Sequence, residues 1–575
     1  MVHPAAGDAA GLILDRRPDG ALRLVSAVPL PDDRPDIAVR LRHWAAADPG
    51  RPLMTVASGQ GREIVSYGEA LHAARALHGS LAAVGLKPGA RVATLLAAGR
   101  EALVLRLACL LGNLVHVTLP PRPFRDLQAV PPDTGEAERI WRMVRPDLLI
   151  LPAGSAMPGG GLARRLADLP PAPPLPDCDG RPADWTAIFF TAGSTGAPKG
   201  VPITRGMIAS CQAACVAVWP FLAERPPVLI DWMPWNHVFG GLDNLFKIIW
   251  NGGTLHLMPP PLADGDDTLI ALMEEVRPTL MIGVPLGLRL MLDAGAVDPA
   301  RLARGCTRLG DIFIAGAAMD PALWDRLQAF RTEMADVHGR PIRLLSGYGA
   351  TEAASTMCLV PGPVSGPGWL GWPLPGHEMA LVDTEGGSEL RFRGPNLAPC
   401  YLGEDGPFPL PLDAQGYYCS GDAGVLDTDP EERPMLRFDG RLSEDFKLSS
   451  GIKVRAGTLR GGLLRQLGPE VQDLVLGGAG REALVALVFP AADADAAGLV
   501  ERLSRGLAAW NARNPASSTA IARFALATIR PSVDAGEVSA KGQLVQSRIL
   551  RNHAPLFAAL SEGHIGRAPA AAPGG

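Results

Sequence analysis

The sequence predicts an α/β fold, with a large N-terminal domain of α/β subdomains plus a β-rich subdomain, followed by a small α+β C-terminal domain. Three observations lead to this prediction. The chain has 575 residues, of which 47% are apolar, enough for two to four packed units at ~150 residues per domain. Short apolar runs alternate with helical patterns along most of the chain, which is typical of parallel sheets covered by helices. After about residue 386 the segments become short and turn-rich, which indicates antiparallel strands.

The individual elements follow in order along the chain. Within a lead-in of residues 1–40, two apolar runs flank the turn formed by Asp19 and Gly20, which predicts a hairpin. An amphipathic helix begins at Ile37 and ends before Pro49. The next patterns predict a helix from Ser66, a strand at 91–96, a buried helix at 102–111 and a strand at 148–151.

Residues 152–183 interrupt this alternation because they are rich in glycine and proline, and they are predicted to form a surface connection. Strand patterns resume at 187–190, 228–232, 279–283 and 311–316. We place the N-terminal domain at 1–440, the C-terminal domain at 441–566 and a disordered Ala/Pro tail at 567–575.

Composition excludes several classes of protein. The formal charge is −5 and no basic run occurs, which argues against a nucleic-acid partner. The most apolar stretch, 103–117, contains Arg106 and is too short to span a bilayer, so we expect no membrane association. The first residues lack a secretory signal, and the eight cysteines are scattered, without the spacing of a metal site. We therefore expect a cytoplasmic protein with free thiols.

One segment indicates phosphate binding. The run FFTAGSTGAPKG at 189–200 follows a strand pattern and combines three hydroxyls, three glycines and a lysine. Glycines let backbone N–H groups approach phosphate oxygens, and hydroxyls and an ammonium add charge-assisted contacts. The segment lacks the Gly-Lys-Ser/Thr ending of a Walker A loop.

This segment resembles the phosphate-binding signature of the adenylate-forming superfamily, which includes acyl-CoA ligases, adenylation domains of peptide synthetases and luciferases. Four further segments resemble motifs of that superfamily in the same order: SGYGATEA at 346–353, CSGDA at 419–423, DGRLSEDFK at 439–447 and SAKGQ at 539–543. With DWMPWNHVFGG at 231–241 and LRHWA at 41–45, the sequence is most similar to bacterial feruloyl-CoA synthases.

The resemblance implies an ATP site and a magnesium ion, with Glu352 as the metal ligand and Thr351 at the α-phosphate. Tyr348 would stack on adenine, Asp422 would accept hydrogen bonds from both ribose hydroxyls, and Arg441 would add a ribose contact. The remaining residues implied at this site hold the β- and γ-phosphates or line the adenine pocket: Thr191, Ser194, Thr195, Gly196, Lys199, Gly316, Ala317 and Gly347.

The resemblance also makes Lys541 the catalytic lysine of the first half-reaction, where an ammonium between carboxylate and α-phosphate stabilises developing charge. In most relatives a glycine precedes the lysine of this loop, whereas here Lys541 precedes Gly542. A solvated surface lysine is the alternative interpretation. The chain has only six lysines among 54 basic residues, and Arg does not replace a compact ammonium at such a site.

For the second half-reaction, the resemblance implies a mobile C-terminal domain that rotates about a hinge at Ser443, with coenzyme A as co-substrate. Ser450, Gly451 and Lys453 would then contact CoA, although a surface role for Lys453 is equally consistent with the sequence.

The acyl pocket implied by the resemblance contains His237, Phe239, Gly349 and Ala350. We expect His237 to form a wall or gate of this pocket, because a lone histidine among apolar residues is more often a packed side chain than a base. Two positions depart from the feruloyl pattern. Ala350 replaces a larger residue before Thr351, and Cys400 replaces the glycine before Tyr401.

The sequence therefore predicts an ATP-dependent acid–CoA ligase for a hydroxycinnamic or other aromatic acid. Two alternatives stay open: an enzyme that loads an acid onto a carrier protein, and a catalytically weak nucleotide-binding sensor. A homodimer is also compatible with the sequence.

Overall fold

The computed structural model describes residues 8–9, 11–58, 61–124, 127–132, 135–192, 198–258, 268–316, 319, 321–385, 387–468, 470–491, 494, 498–532, 535–538 and 544–563. It shows a mixed α/β fold with a large N-terminal part and a smaller C-terminal unit, as the sequence predicts. No helix in these ranges has the length and apolar character needed to cross a membrane.

The first third of the chain alternates strands and helices. Its strands are β1 Asp8–Ala9, β2 Leu12–Arg16, β3 Leu22–Ser26, β4 Pro52–Ser58, β5 Gly61–Ser66, β6 Arg91–Thr94, β7 Val115–Thr118, β8 Leu148–Leu151, β9 Ala163–Arg165, β10 Trp185–Ala192 and β11 Pro198–Thr204. Its helices are α1 Ile37–Ala47, α2 Tyr67–Ala83, α3 Arg100–Leu111 and α4 Gly135–Val144.

The middle of the chain continues the alternation and then becomes antiparallel. Its helices are α5 Arg205–Val218, α6 Phe221–Glu224, α7 Leu245–Asn251, α8 Thr268–Val276, α9 Pro285–Val297, α10 Pro299–Gly305 and α11 Pro321–His338. Its strands are β12 Val228–Asp231, β13 Thr254–Leu257, β14 Leu280–Gly283, β15 Asp311–Ile314, β16 Arg343–Tyr348, β17 Cys358–Leu359, β18 Trp369–Pro373, β19 Glu378–Thr384, β20 Gly387–Arg393, β21 Tyr401–Gly403, β22 Gly406–Phe408, β23 Tyr418–Thr428 and β24 Pro434–Arg441.

The C-terminal unit has its own small sheets and two apolar cores. Its strands are β25 Phe446–Lys447, β26 Lys453–Val454, β27 Val471–Gly477, β28 Leu484–Pro490 and β29 Ile521–Leu526. Its helices are α12 Ala456–Leu467, α13 Leu499–Arg513, α14 Gln546–Asn552 and α15 Ala554–Glu562.

Helix starts follow from local chemistry. The Asp36 carboxylate accepts a hydrogen bond from the Ala38 N–H and caps α1, and Ser66 and Glu69 form a reciprocal capping box at α2. These contacts satisfy N–H groups that the first turn of a helix leaves without partners.

Two sheets organise the N-terminal part. One continuous sheet runs in the order β1-β2-β3-β19-β20-β23-β24-β18-β17-β16-β15-β14-β12-β13-β4-β5. Its strands from β16 to β4 are parallel, and those before β16 are antiparallel. The second sheet runs β22-β21-β11-β10-β7-β6-β8-β9, with a parallel part from β10 to β9.

One sequence prediction needs correction. Residues 152–183 are not solely a surface connection, because β9 pairs in parallel with β8 and extends the second sheet at its edge. Ala163 of this strand is buried. Three residues are too few for a periodic pattern, so the strand left no signal among the glycines and prolines.

Candidate active site

The two ends of the predicted phosphate-binding segment lie in β10 and β11, which pair antiparallel. Thr191 and Lys199 lie directly opposite each other in their register. Ser194, Thr195 and Gly196 fall between them, outside the described residues, as do Ala317 and Lys541 elsewhere in the chain. The roles inferred for these five residues therefore stay predictions.

Three strands bring the predicted adenosine residues together. The Tyr348 hydroxyl, at the end of β16, donates a hydrogen bond to Asp422 Oδ2 at 2.7 Å. Asp422 on β23 is the register partner of Arg441 on β24, and its Oδ1 lies 3.5 Å from Arg441 Nε. The parallel sheet and the antiparallel region therefore meet at this cluster.

Burial and charge act in opposite directions on the pKa values of this cluster. Burial raises the pKa of Asp422, while the Arg441 guanidinium and the Tyr348 hydroxyl oppose that rise. Burial and the neighbouring Asp422 charge raise the pKa of Tyr348 well above its ordinary value, so the phenol stays a hydrogen-bond donor. The Asp422 charge raises the pKa of Arg441. A carboxylate held this way can accept hydrogen bonds from vicinal hydroxyls.

Glu352 presents a buried carboxylate in a short 3₁₀ turn, Thr351–Ala353. Tyr401 donates its phenolic hydrogen to Glu352 Oε1 at 2.6 Å, and the Ala398 N–H donates to the Glu352 carbonyl at 2.7 Å. Across the described part of the chain, no Lys, Arg or His makes an ion pair with this carboxylate.

This arrangement fits a magnesium ion. Mg²⁺ prefers oxygen ligands and is commonly held by one or two carboxylates together with substrate phosphates, and the buried Glu352 carboxylate forms no ion pair with a described residue. In the same ranges no cluster of three or more His, Cys, Asp or Glu side chains could hold a metal ion.

One cleft joins the predicted nucleotide and acyl residues. The Phe239 ring meets that of Phe313 edge to face, with centroids 6.2 Å apart. The cleft is lined by Val238, Phe239, Phe313, Ala315, Gly316, Gly347, Tyr348, Gly349, Ala350, Thr351, Ser355 and Thr356. Adenine-side and acyl-side positions thus share one cavity.

Close backbone approach explains one glycine of this cleft. A Cβ added at Gly349 would lie 1.5 Å from the Ser355 carbonyl oxygen, so no other residue fits there without moving the chain. The following turn contains two residues with positive φ, Ala354 at 48° and Ser355 at 97°. Non-glycine residues rarely adopt this conformation outside constrained or functional segments.

His237 lies in the loop that follows β12, half-buried beside the cleft. The Gly241 N–H donates to its carbonyl at 2.8 Å, which begins a π-helical turn, Phe239–Asn244. Turns of this kind occur frequently at functional sites. Val238 and Phe239 line the cleft directly, which is compatible with the wall position predicted for His237.

The predicted hinge and CoA residues lie in the C-terminal segment. Ser443 is exposed in a short turn, Leu442–Glu444. Ser450 and Gly451 are exposed in the turn between β25 and β26, where Gly451 has a φ of 80°. Lys453 lies 3.6 Å from the Asp445 carboxylate and donates to the Glu385 carbonyl at 3.3 Å. Neither contact involves the cleft.

Sequence reasoning missed the phenols around Glu352. The hydroxyls of Tyr401 and Tyr418 lie 3.2 Å apart, and Lys199 Nζ lies 4.8 Å from the centre of the Tyr401 ring. A signal was present, because Tyr401 follows the unusual Cys400. Its contact with a residue 49 positions away, however, has no sequence pattern.

A sequence model described as "AMP-binding enzyme" matches residues 41–402, more than half of the chain, and a model of an AMP-binding enzyme C-terminal domain matches residues 445–561. The chain belongs to the AMP-binding enzyme family. Curated relatives of this AMP-binding enzyme include the carboxylic acid reductase of Mycobacterium marinum, which is 28% identical over 56% of this chain and 27% of its own length. The oxalate–CoA ligase of Arabidopsis thaliana is 28% identical over 46% of this chain and 49% of its own. The chain thus spans less than two thirds of these relatives' length.

Solved structures share the fold of this AMP-binding enzyme at low sequence identity. An anthranilate CoA ligase in complex with anthranoyl-AMP has a TM-score of 0.68 at 18% identity and covers 92% of this chain and 99% of its own. McyG A-PCP in complex with phenylalanyl-adenylate has a TM-score of 0.71 at 17% identity, over 94% of this chain and 86% of its own. At this identity the likeness establishes the fold.

Proposed function

We propose that this AMP-binding enzyme is an ATP-dependent acid–CoA ligase that acts on a hydroxycinnamic, feruloyl-type or other aromatic acid. The observation that carries the proposal is the shared cleft in which Gly347, Tyr348 and Thr351 lie beside Phe239, Gly349 and Ala350. An acid and a nucleotide held there would have their reacting groups in contact.

In the first half-reaction, a carboxylate oxygen attacks the α-phosphorus of ATP, and the bond to the β-phosphate oxygen breaks to release pyrophosphate. Catalysis of such a step depends mainly on positioning and charge neutralisation. Lys199 and Thr191 would bind the β- and γ-phosphates, Lys541 would bridge carboxylate and α-phosphate, and Asp422 would hold the ribose. Magnesium, held by Glu352, would neutralise phosphate charge.

In the second half-reaction, the sulfur of CoA attacks the acyl carbon of the adenylate, and AMP leaves with the electrons of the acyl–oxygen bond. The residues proposed to meet CoA are Ser450, Gly451 and Lys453, brought to the cleft by rotation about Ser443. The thiol proton is released to solvent or to AMP.

The lining of the cleft supports an aromatic acid. The rings of Phe239 and Phe313 offer an apolar wall, and Gly347, Gly349 and Ala350 add no side chain larger than a methyl group to the cleft. Aromatic groups pack favourably against such edge-to-face walls.

A panel of aryl, cinnamic and medium-chain acids tests the proposal. We expect at least one aromatic acid to stimulate pyrophosphate release from ATP and then to form a CoA thioester. Absence of stimulation by every acid would reject the ligase function. Pyrophosphate release without a thioester would favour loading of a carrier protein. This alternative is worth testing because the chain is also 27% identical, over 80% of its length but only 6% of the relative's, to a probable non-canonical nonribosomal peptide synthetase of Salinispora arenicola.

The first mutational prediction concerns Lys541. We expect Lys541→Ala to reduce pyrophosphate release at least ~100-fold, because a single preorganised electrostatic contact is typically worth that much. Conversion of supplied acyl-adenylate to thioester should be largely preserved. Lys87→Ala, at an exposed lysine, is the matched control and should behave as wild type. Equal loss of both steps in Lys541→Ala would contradict the assigned role.

A further inference from the structure

We propose that Tyr401 is a positioning residue of the adenylation site, which orients the Glu352 carboxylate for magnesium and keeps Lys199 separate from that carboxylate. This inference rests on the proposed function, because it assigns Glu352 and Lys199 to the metal and the phosphates of ATP. The sequence pattern includes Tyr401 only as the residue after Cys400 and gives it no role, and the cleft lining does not include it.

The first step is the hydrogen bond between phenol and carboxylate. The Tyr401 hydroxyl donates to Glu352 Oε1 at 2.6 Å, and its oxygen lies 3.2 Å from the Tyr418 hydroxyl. Both phenols are buried. Hydrogen bonds to an ionised group are short and stronger than neutral ones, so this contact fixes the direction in which the carboxylate points.

The second step concerns charge. A tyrosine hydroxyl is uncharged at ordinary pH and donates one hydrogen bond, here to Glu352 Oε1. A neutral donor satisfies one oxygen of Glu352 but leaves the negative charge uncompensated. A lysine or arginine at position 401 would instead neutralise the carboxylate and compete with a metal ion for it.

The third step concerns Lys199. Its ammonium lies 4.8 Å from the centre of the Tyr401 ring and 5.9 Å from that of Phe408, within the range of a cation–π contact. β21 pairs with β11 through Leu402 and Gly200, which places Tyr401 beside the strand that carries Lys199. The Tyr401 ring therefore contacts the Lys199 ammonium, while the Tyr401 hydroxyl, at the edge of the ring, contacts the Glu352 carboxylate.

The two contacts together keep a cation and an anion apart in the protein without nucleotide. A direct ion pair between Lys199 and Glu352 would have to break before ATP and Mg²⁺ could bind, so it would compete with both ligands. Tyr401 removes that competition and leaves both groups available to the ligand.

The test uses ATP binding to the full chain, measured by calorimetry with Mg²⁺ and with EDTA. The measured quantity is the Mg²⁺-dependent gain, the ratio of the two dissociation constants. We expect Tyr401→Phe to reduce this gain by ~10-fold or more, as removal of a hydrogen bond to a metal ligand typically does. Affinity in EDTA should stay unchanged, because the ring under Lys199 is retained. Tyr401→Leu removes the ring as well and should also weaken binding in EDTA.

A matched control lies in the same protein. Tyr417 is likewise a buried tyrosine whose hydroxyl donates to a carboxylate, that of Glu378, and Tyr417→Phe should leave the Mg²⁺-dependent gain unchanged. Tyr418→Phe removes the phenol that contacts Tyr401 and should lower the gain by a smaller factor, which supplies a second variant if Tyr401→Phe does not fold.

An unchanged or increased Mg²⁺-dependent gain in Tyr401→Phe would overturn the proposal, and so would an equal loss in Tyr417→Phe. For a Tyr401→Phe protein that does not fold, an unchanged gain in Tyr418→Phe would overturn it. Failure of the proposed function would be seen separately, as wild-type protein that binds ATP with the expected Mg²⁺ dependence but releases no pyrophosphate with any acid.

Discussion

Asp231 is a buried carboxyl group at the end of β12, immediately before the loop that carries His237. Its Oδ1 accepts hydrogen bonds from the Met233 N–H at 3.0 Å and from Asn244 Nδ2 at 3.1 Å. These bonds tie the start of the loop to the end of the π-helical turn. Burial outweighs them and raises the pKa of Asp231 to about 6.

This pKa predicts a pH-dependent stability. A carboxyl group whose pKa is higher in the folded chain than in the unfolded chain binds its proton more tightly when folded. Its contribution to the free energy of unfolding is therefore fully present below about pH 4 and is lost as pH rises towards 6. We expect Asp231→Asn to lose this dependence and to be more stable than wild type at pH 7.5 by about 1–3 kcal/mol.

Urea unfolding at several pH values between 4 and 8 measures this effect. Asp427→Asn, at a partly exposed aspartate on β23, serves as the control and should leave the pH profile unaltered. Superimposable profiles for wild type and Asp231→Asn would show that the Asp231 carboxyl does not titrate as its burial requires.

At the scale of elements, a buried ion pair joins the π-helical turn to α7. Lys247 Nζ lies 2.8 Å from Asp243 Oδ1, and both side chains are essentially inaccessible to solvent. Gln212 Nε2 of α5 donates to the same oxygen at 3.1 Å. The pair therefore connects three helical segments behind Phe239, a role that sequence reasoning could not assign to Lys247.

We expect Lys247→Met to destabilise the chain by about 3–5 kcal/mol, because it leaves the Asp243 carboxylate buried without a counter-charge. The double variant Asp243→Leu/Lys247→Met should recover much of that loss, since two apolar side chains can replace a buried pair at little cost. Urea denaturation measures both. Additive losses in the double variant would mean that the two charges do not stabilise each other.

The elements that sequence predicted well are those with repeated patterns or local chemistry. The hairpin of β2 and β3, helix α1 and the capped helix α2 lie where the patterns indicate. Contacts made by single side chains across the chain were not predictable. The Tyr401–Glu352 hydrogen bond depends on how the sheets pack, and no residue spacing encodes it. The Asp243–Lys247 pair has the i, i+4 spacing of a helical ion pair, but that spacing does not reveal that the pair is buried. The site residues could be named from the family resemblance. The side chains that hold them in place are brought there by packing and are visible only in the folded structure.

At the scale of the whole molecule, a few polar contacts connect the C-terminal unit to the strand that precedes it. The Asp439 carboxylate lies 2.9 Å from Arg455 Nη2 and accepts a hydrogen bond from the Thr458 hydroxyl at 2.9 Å. Within the C-terminal unit, Gln546 Nε2 donates to Glu444, in the turn that follows this strand, at 3.0 Å. A partly exposed ion pair contributes little free energy on its own. These contacts therefore stabilise the observed arrangement of the C-terminal unit only weakly and leave other arrangements accessible.

The exposed turn at Ser443 is where a rotation of the C-terminal unit would concentrate. Proline fixes φ near −65°, a value that a 3₁₀ turn accommodates but a rotating hinge does not. We therefore expect Ser443→Pro to keep acid-dependent pyrophosphate release within about 3-fold of wild type. If a change in backbone angle is needed between the two steps, CoA thioester formation should fall by ~100-fold or more. Ser443→Ala leaves the backbone free and should preserve both steps. Equal rates of thioester formation in Ser443→Pro and Ser443→Ala would show that the molecule completes both half-reactions without bending at this residue.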